Sequence, residues 1–179
     1  ELTRLEQAGA IDPATAADYR AINRDARALL LRLTGSRRIG LRAPLVVLDR
    51  LARSGQLTAG RVASIMLTVQ RNREWWCCKP LPVAGQRHRF GGRQIVWQHY
   101  PGQGWQIQWL GTFGRANALW SFRGKDDELR SLVDDAIALA TPRAGGTAWE
   151  YLLAFGSGQP PWVSAMAQGT GIQIGRAHV

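Results

Sequence analysis

The first third of the chain carries the same helix boundary twice, with a glycine that ends one helix and a small polar residue that begins the next. Segment 5–12 resembles segment 51–58, and both follow the pattern Leu-x-x-[Ala/Ser]-Gly-x-[Ile/Leu]-[Asp/Thr]. Glycine ends a helix without strain, and Asp or Thr accepts a hydrogen bond from the first turn of the next. The repeat therefore predicts helices stacked in antiparallel pairs.

Three helices follow from the spacing of apolar residues in this region. The first is capped by Asp12 and ends at Gly35, and the third starts near Thr58. The second covers 39–53, or begins at Pro44 within that span, because proline suits the first turn of a helix. The residues expected on the buried faces are Tyr19, Ile22, Ala26, Leu29, Leu30, Leu33, Leu41, Leu45, Leu48, Leu51, Val62, Ile65, Met66, Val69 and Trp76.

A β-hairpin interrupts the helical pattern in the middle of the chain. Segments 86–90 and 93–100 flank Gly91-Gly92, a pair that is typical of a two-residue hairpin turn. Within the second segment, alternate residues would face opposite sides of the strand. We therefore expect a small β insertion in a helical domain.

Helices are predicted again from Gly104 onward. The apolar stripe of this helix has i, i+4 spacing and comprises Trp105, Trp109, Phe113, Ala116 and Trp120. A further helix begins at Asp126, buries Leu129, Leu132, Val133, Ile137 and Ala140, and ends before Thr141. Segment 149–155 is expected to form a short strand, and a last helix begins near Trp162.

Positive charge dominates the chain and is carried almost entirely by arginine. There are 23 Lys and Arg residues against 13 Asp and Glu residues, a net charge of +10. Arginine forms planar, bidentate pairs with carboxylate, sulfate and phosphate. The charge therefore favours a polyanionic partner, either an acidic polysaccharide or a nucleic acid, although a genome biased toward arginine codons gives the same excess. We expect no nucleic acid, because no recognisable nucleic-acid-binding motif accompanies the charge.

Several classes of site lack their sequence signature. Cys77 and Cys78 are neighbours, a spacing that suits neither a zinc site nor an unstrained disulfide. His88 and His99 have no second ligand at metal-binding spacing, and segment 102–104 lacks the context of a nucleotide-binding loop. No run approaches the ~18 apolar residues of a membrane span. We therefore expect no cofactor, no metal and no membrane-spanning segment.

Aromatic residues and glutamines alternate along segment 100–109, in a chain with eight Trp and only four Phe residues. Indole rings stack on the apolar faces of sugars, and amides hydrogen-bond sugar hydroxyls. This chemistry makes Gln103 and Trp105 substrate-binding candidates, with Tyr100 as a candidate for lining the same groove. The alternative is a glycine-rich helix start with capping glutamines.

Segment 161–169 reads PWVSAMAQG and closely resembles the PW-x-SAMAQG signature of the C-terminal domain of D-glucuronyl C5-epimerases. A looser likeness extends over 100–173, whereas 1–80 shows only general helical character. The resemblance implies a mainly α fold, an incomplete toroid or barrel of α/α hairpins around a groove for acidic, uronate-containing polysaccharide. It also implies removal of the C5 proton of a uronate and its return from the opposite face, with tyrosines and a carboxylate as acid and base.

The resemblance carries site roles to a few positions of this chain. Trp162, Ser164 and Gln168 match the signature and are expected to line the groove and bind substrate. Tyr151 and the adjacent Glu150 are the candidates for catalytic acid and base. Most of the family's tyrosine cluster lies downstream of the signature, so we expect most catalytic residues to lie beyond this chain.

Both ends of the chain are expected to be artificial or truncated. Residues 174–179 resemble one reading frame of a sequencing adapter, so we expect a single domain over 1–173 that continues in the natural protein. The chain starts at Glu1 without methionine, so the absence of an export signal carries no information, and the substrate class implies an extracellular or cell-envelope location. The oligomeric state has no sequence signature.

Two other readings of the function remain open. A polysaccharide lyase or glycoside hydrolase on the same toroid would act on similar substrates, and a lyase shares with an epimerase the abstraction of the C5 proton. A non-catalytic polysaccharide-binding module would keep the groove and lack the catalytic tyrosines.

Overall fold

Helices form most of the chain in the computed structural model, which describes residues 1–122 and 124–176. The helices are α1 (Leu2–Gln7), α2 (Pro13–Arg32), α3 (Gly35–Arg53), α4 (Ala59–Trp76), α5 (Trp109–Ser121), α6 (Asp126–Ala138) and α7 (Ala165–Arg176). The strands are β1 (Arg87–His88), β2 (Trp97–Tyr100), β3 (Gly104–Ile107), β4 (Thr141–Arg143), β5 (Gly146–Ala148), β6 (Glu150–Tyr151) and β7 (Trp162–Val163). They pair as the antiparallel sheets β1-β2-β3, β4-β5 and β6-β7.

Side-chain caps begin two helices at the predicted residues. Asp12 Oδ1 accepts a hydrogen bond from the Thr15 N–H at 2.9 Å, and Thr58 Oγ1 accepts one from the Arg61 N–H at 3.4 Å. The predicted starts of α2 and α4 are therefore confirmed. Gly35 begins α3 rather than ending α2.

The start of α3 differs from both predicted positions, since the helix runs through Pro44 from Gly35. Proline has no N–H to donate to the carbonyl four residues earlier, which belongs to Gly40. That carbonyl lies against Gly104, where an added Cβ would be 2.4 Å from the Gly40 oxygen. Pro44 is thus tolerated inside α3 at the point where this helix meets β3.

The helix predicted from Gly104 is wrong, because this segment forms β3 and α5 begins only at Trp109. The fully buried Asn72 of α4 explains the difference. Its Oδ1 accepts from the Trp105 N–H at 2.9 Å, and its Nδ2 donates to the Trp105 carbonyl at 2.7 Å. A side chain that satisfies both backbone groups of Trp105 stabilises extended backbone there.

The predicted two-residue turn at Gly91-Gly92 is also wrong. Strands β1 and β2 do pair, but segment 89–96 separates them and contains a short 3-10 turn at Phe90–Gly92. The longer connection buries the Phe90 ring, whose centroid lies 5.4 Å from that of Trp97. Burial of an aromatic ring outweighs the local preference for a tight glycine turn.

The second half of the chain departs from prediction at several residues. Trp120 and Ile137 were expected in the core, but they are 51% and 63% exposed. The strand predicted over 149–155 is confirmed only as β6. The last helix begins at Ala165, because Trp162–Val163 form β7 against β6.

Helix α4 joins two hydrophobic clusters. Its first turns contribute Val62, Ile65 and Met66 to a cluster with α3, and its later turns contribute to the larger cluster that contains the sheet, α5 and α6. It packs directly on α2 and α3. A mainly helical fold with a small β insertion is therefore confirmed, whereas the toroid stays a prediction.

Residues 174–176 continue α7, with Ile174 buried in the larger cluster. The remaining predicted adapter residues, 177–179, lie outside the described residues, so the origin of this segment stays a prediction. Over the part of the chain that the structure describes, no helix is both long and apolar enough to cross a membrane.

Candidate functional site

The three-stranded sheet separates polar from aromatic side chains. Arg87 pairs with Gln98, and Gln98 pairs with Gln106, so these side chains share one face of the sheet. Tyr100 lies two residues beyond Gln98 on β2 and therefore projects to the same side. We refer to Arg87, Gln98, Tyr100 and Gln106 as the polar face.

The opposite face of the sheet packs into the core. Trp97, His99 and Trp105 lie on this side, and the Trp105 ring centroid is 4.7 Å from that of Trp75 on α4. Trp105 is 0% exposed. The structure therefore places this predicted sugar-stacking residue where a ligand does not reach it.

The first turn of α5 lies beside the polar face. Gln108 caps the helix, with its Oε1 accepting from the Gly111 N–H at 2.5 Å. Its side chain also hydrogen-bonds the Tyr100 hydroxyl. Tyr151 reaches the same turn from β6, where its hydroxyl accepts from the Leu110 N–H at 3.1 Å. The fold thus brings two predicted site residues, Tyr100 and Tyr151, to one helix N-terminus.

Both phenols are held in the protonated form at neutral pH. Burial raises the pKa of Tyr100, opposed by the hydrogen bond from Gln108 and the positive charge of Arg87. Burial likewise raises the pKa of Tyr151, opposed by the N–H groups of Leu110 and Trp109, while the proximity of Tyr100 raises it further. Because backbone N–H groups stabilise a phenolate oxygen, Tyr151 suits the donation of a proton.

An arginine-rich cleft of about 890 Å³ adjoins this turn. Leu110 and Gly111 of α5 form part of its wall, and the Leu110 N–H donates to the Tyr151 hydroxyl, so the cleft adjoins the turn that Tyr151 contacts. Arg87 belongs both to the cleft and to the polar face. We refer to this cleft as the arginine cleft. Its lining residues are Arg87, His88, Arg89, Val96, Leu110, Gly111, Gly114, Arg115 and Thr170.

Gly111 keeps the junction between the cleft and the polar face open. A Cβ at this position would lie 3.3 Å from Gln108 Oε1 and 3.3 Å from Val96 Cγ1. The guanidinium carbon of Arg87 would lie at 3.7 Å. A side chain at this position would therefore be tight against Gln108 and Val96, whereas its contact with Arg87 would be an ordinary van der Waals contact.

Glu150 is engaged in a buried ion-pair network. Its carboxylate accepts from Arg61 Nε at 2.7 Å and Nη2 at 2.9 Å, and from Arg143 Nη1 at 2.7 Å. The Glu150 side chain is 2% exposed. Although adjacent to Tyr151, it points to the other side of β6, so its carboxylate is not free to act as a base.

The signature residues stabilise the loop and helix that contain them. Ser164 Oγ accepts from the Ala167 N–H at 3.3 Å at the start of α7. The Gln168 amide bonds the Trp149 N–H at 3.1 Å and the Trp149 carbonyl at 2.9 Å. Their predicted substrate-binding groups are thus occupied within the fold.

Trp162 and Gln103 also make contacts within the fold. The Trp162 ring stacks on Tyr151, with centroids 4.5 Å apart, and its indole N–H donates to the Leu153 carbonyl at 2.8 Å. Gln103 is half-buried in the turn between β2 and β3, where its carbonyl accepts from Gln106 at 2.6 Å. Trp162 therefore supports Tyr151, and Gln103 lies at the end of the polar face.

Sequence reasoning missed the arginines and Gln98, which come from elements distant in the chain from the signature. A signal for Gln98 and Gln106 was present, since polar and aromatic residues alternate with the period of a strand. Gln98 was placed correctly in the strand predicted over 93–100, whereas Gln106 was assigned to a helix because of the i, i+4 stripe through Trp105. Arg89 and Arg115 have no local motif and meet only in the folded chain.

Comparison with known proteins adds no assignment, because no family model, curated protein or solved structure matches the chain. The resemblance to the epimerase domain therefore stays a prediction from segment 161–169. Across residues 1–122 and 124–176, no group of three or more His, Cys, Asp or Glu side chains is placed to hold a metal ion.

Proposed function

We propose that the chain is part of a uronyl C5-epimerase-like domain that binds acidic polysaccharide along the polar face and the arginine cleft. One observation supports this most: Arg87 lies beside Tyr100 and the first turn of α5, so a carboxylate-binding group and phenolic proton donors adjoin one cleft. The substrate class also implies an extracellular or cell-envelope location.

The binding chemistry follows from the side chains of the polar face. Arg87 makes a charge-assisted, bidentate pair with a uronate carboxylate. The amide of Gln98 offers donors and an acceptor to sugar hydroxyls. Gln106 is 2% exposed and donates to the Gln103 carbonyl, so it supports the polar face without binding sugar. Within the described residues, Arg87 has no carboxylate at ion-pair distance, and its Nε is 3.3 Å from the neutral Gln98 Oε1. Its charge is thus available for a ligand.

The proposed reaction is a proton exchange at C5. Tyr100 acts as a base only after it has lost its own proton to solvent, and the hydrogen bond from Gln108 and the charge of Arg87 stabilise this phenolate against the effect of burial. When the phenolate takes the C5 proton, the electron pair of the C–H bond moves into the uronate carboxylate, where Arg87 stabilises the added negative charge. Tyr151 is 5% exposed and reaches the wall of the cleft only through its hydroxyl, at the Leu110 N–H. In the proposed reaction this hydroxyl gives its proton to the other face of C5, and the backbone N–H groups at Leu110 and Trp109 stabilise the phenolate. No oxidant or cofactor is consumed, and proton transfer between solvent and the phenols restores the site.

The test is deuterium exchange into heparosan, an unsulfated glucuronate polymer, by the full chain in deuterated water. We expect deuterium at C5 without chain cleavage, detected by NMR. Tyr100→Phe should reduce the exchange rate about 100-fold or more, because a proton-transfer group is lost. Tyr19→Phe is the matched control, since Tyr19 is a half-buried tyrosine of α2 outside the cleft.

Unsaturated products would instead indicate a lyase, in which the C4 substituent leaves after the same proton abstraction. Exchange that is unchanged in Tyr100→Phe would refute the assigned role of Tyr100. If the chain neither binds the polymer nor exchanges its C5 proton, the proposed function is wrong.

A non-catalytic polysaccharide-binding domain is the second candidate. It is supported by the nearby carboxylates, which are held in ion pairs and are not free to act as bases. Glu150 is held by two arginines, and Glu128, near the cleft, pairs with Arg115 at 3.3 Å and Lys125 at 2.5 Å. This candidate predicts heparosan binding without exchange. Arg87→Gln should weaken that binding, and Arg24→Gln, at an exposed position of α2, should not.

A further inference from the structure

Gln94 holds two arginines of the cleft together. Its Oε1 accepts from Arg89 Nη1 at 2.8 Å and from Arg115 Nε at 2.7 Å. Gln94 is 8% exposed, so its amide is fixed by the surrounding core. Arg89 comes from the loop after β1 and Arg115 from α5, so one buried amide oxygen positions guanidinium groups from two distant parts of the chain.

The neighbouring charges are only partly neutralised. Glu128 lies 3.3 Å from Arg115 Nη2 but is shared with Lys125. In the part of the chain that the structure describes, Arg89 has no carboxylate at ion-pair distance. Burial lowers the pKa of Arg115, and the charge of Arg89 lowers it further, against the opposing effect of Glu128. Two guanidinium groups held together with one shared carboxylate favour a bound anion.

We propose that Gln94 positions Arg89 and Arg115 as a binding site for a tetrahedral oxyanion, a sulfate or phosphate group. A single arginine satisfies both oxygens of a carboxylate. Two guanidinium groups from different elements offer more N–H donors than a carboxylate needs. That number of donors matches a group with three or four oxygens. The site lies in the same cleft as Arg87 but uses different residues.

Its connection to a polysaccharide rests on the proposed function, whereas the anion site itself does not. On a polymer, the oxyanion would be a sulfate ester that lies beside the uronate bound at Arg87. A free sulfate or phosphate ion would use the same donors. The two sources are separated by measuring inorganic sulfate and polymers in different arms of one experiment.

The first arm measures sulfate binding to the full chain by isothermal titration calorimetry at constant ionic strength. Gln94→Glu places a carboxylate between the two arginines, where it competes with the ligand, and should weaken sulfate binding tenfold or more. Arg130→Gln, at an exposed position of α6 outside the arginine cleft, changes the net charge by the same amount and should leave binding unchanged.

Arg89→Gln is the second variant, because Arg89 is exposed and its replacement leaves the core intact. It should also weaken sulfate binding. Equal sulfate affinity in the wild type, Gln94→Glu and Arg89→Gln would overturn the proposal, and so would an absence of sulfate binding to the wild type.

The second arm compares heparin, which is sulfated, with heparosan. Tighter binding of heparin that disappears in Gln94→Glu supports a sulfate ester as the ligand. Equal binding of the two polymers, with sulfate binding retained, assigns the site to a free anion. Because the first arm uses no polymer, failure of the proposed function leaves its result intact.

Discussion

At the residue scale, two glycines of one turn carry different constraints. Gly102 and Gly104 have φ angles of 77° and 72°, a region in which side chains other than glycine are strained. An added Cβ at Gly102 meets nothing within 4 Å. At Gly104 it would lie 2.3 Å from Asn72 Oδ1 and 2.4 Å from the Gly40 carbonyl. Only Gly104 is required by both backbone conformation and space.

We predict that Gly104→Ala lowers the free energy of unfolding by about 3 kcal/mol or more, because strain adds to a clash with buried polar groups. Gly102→Ala should cost only about 1 kcal/mol, the strain alone. Urea unfolding of both variants measures the difference. Equal losses would show that Asn72 and α3 can move away from β3, contrary to this account.

At the scale of elements, one carboxylate joins a helix to two small sheets. Glu150 on β6 pairs with Arg61 of α4 and Arg143 of β4. The indole N–H of Trp109 on α5 also donates to the Glu150 carbonyl at 2.9 Å. Glu150 thus lies where four elements meet, and its carboxylate keeps two arginine charges compensated.

We predict that Glu150→Gln destabilises the fold by about 3 kcal/mol, because it leaves Arg61 with an uncompensated charge at a nearly buried site. Glu6→Gln removes a more exposed pair, with Arg20, and should cost no more than about 1 kcal/mol. Chemical denaturation measures both. A variant at position 150 that keeps its stability and loses C5 exchange would instead establish Glu150 as a catalytic residue.

At the scale of the whole molecule, the two hydrophobic clusters are not independent. Helix α4 contributes to both, and Ile22 of α2 packs against both. Disrupting one cluster therefore removes packing from a helix that supports the other. This arrangement favours a single cooperative unfolding transition.

We predict that Leu51→Ala, a deletion in the smaller cluster, lowers stability by about 2–5 kcal/mol. Near-UV and far-UV circular dichroism should shift together on heating, although most tryptophans lie in the larger cluster. Leu31→Ala is the control, since Leu31 is 80% exposed and should change stability by less than about 0.5 kcal/mol. Separate transitions for the two probes would show that the clusters unfold independently.

The candidate site was only partly predictable from the sequence. Tyr100 and Tyr151 were selected, and the fold brings both to the first turn of α5. Trp105 was also selected, but the alternation of β3 directs it into the core. Ser164 and Gln168 carry the signature, yet their polar groups serve α7 and Trp149. A sequence motif points to residues that have a role. Their contacts in the structure determine whether that role is to bind a ligand or to stabilise the fold.

The sequence by itself determined the features that depend on near neighbours. The caps at Asp12 and Thr58 and the apolar stripes of α2 to α4 act within a few residues, and the net charge requires no structure. Only the tertiary structure decided the strand at Trp105, which depends on Asn72, and the neutralisation of Glu150 by Arg61 and Arg143. It also created the arginine cleft, because Gln94 joins side chains that are distant in the chain, and such contacts leave no local pattern.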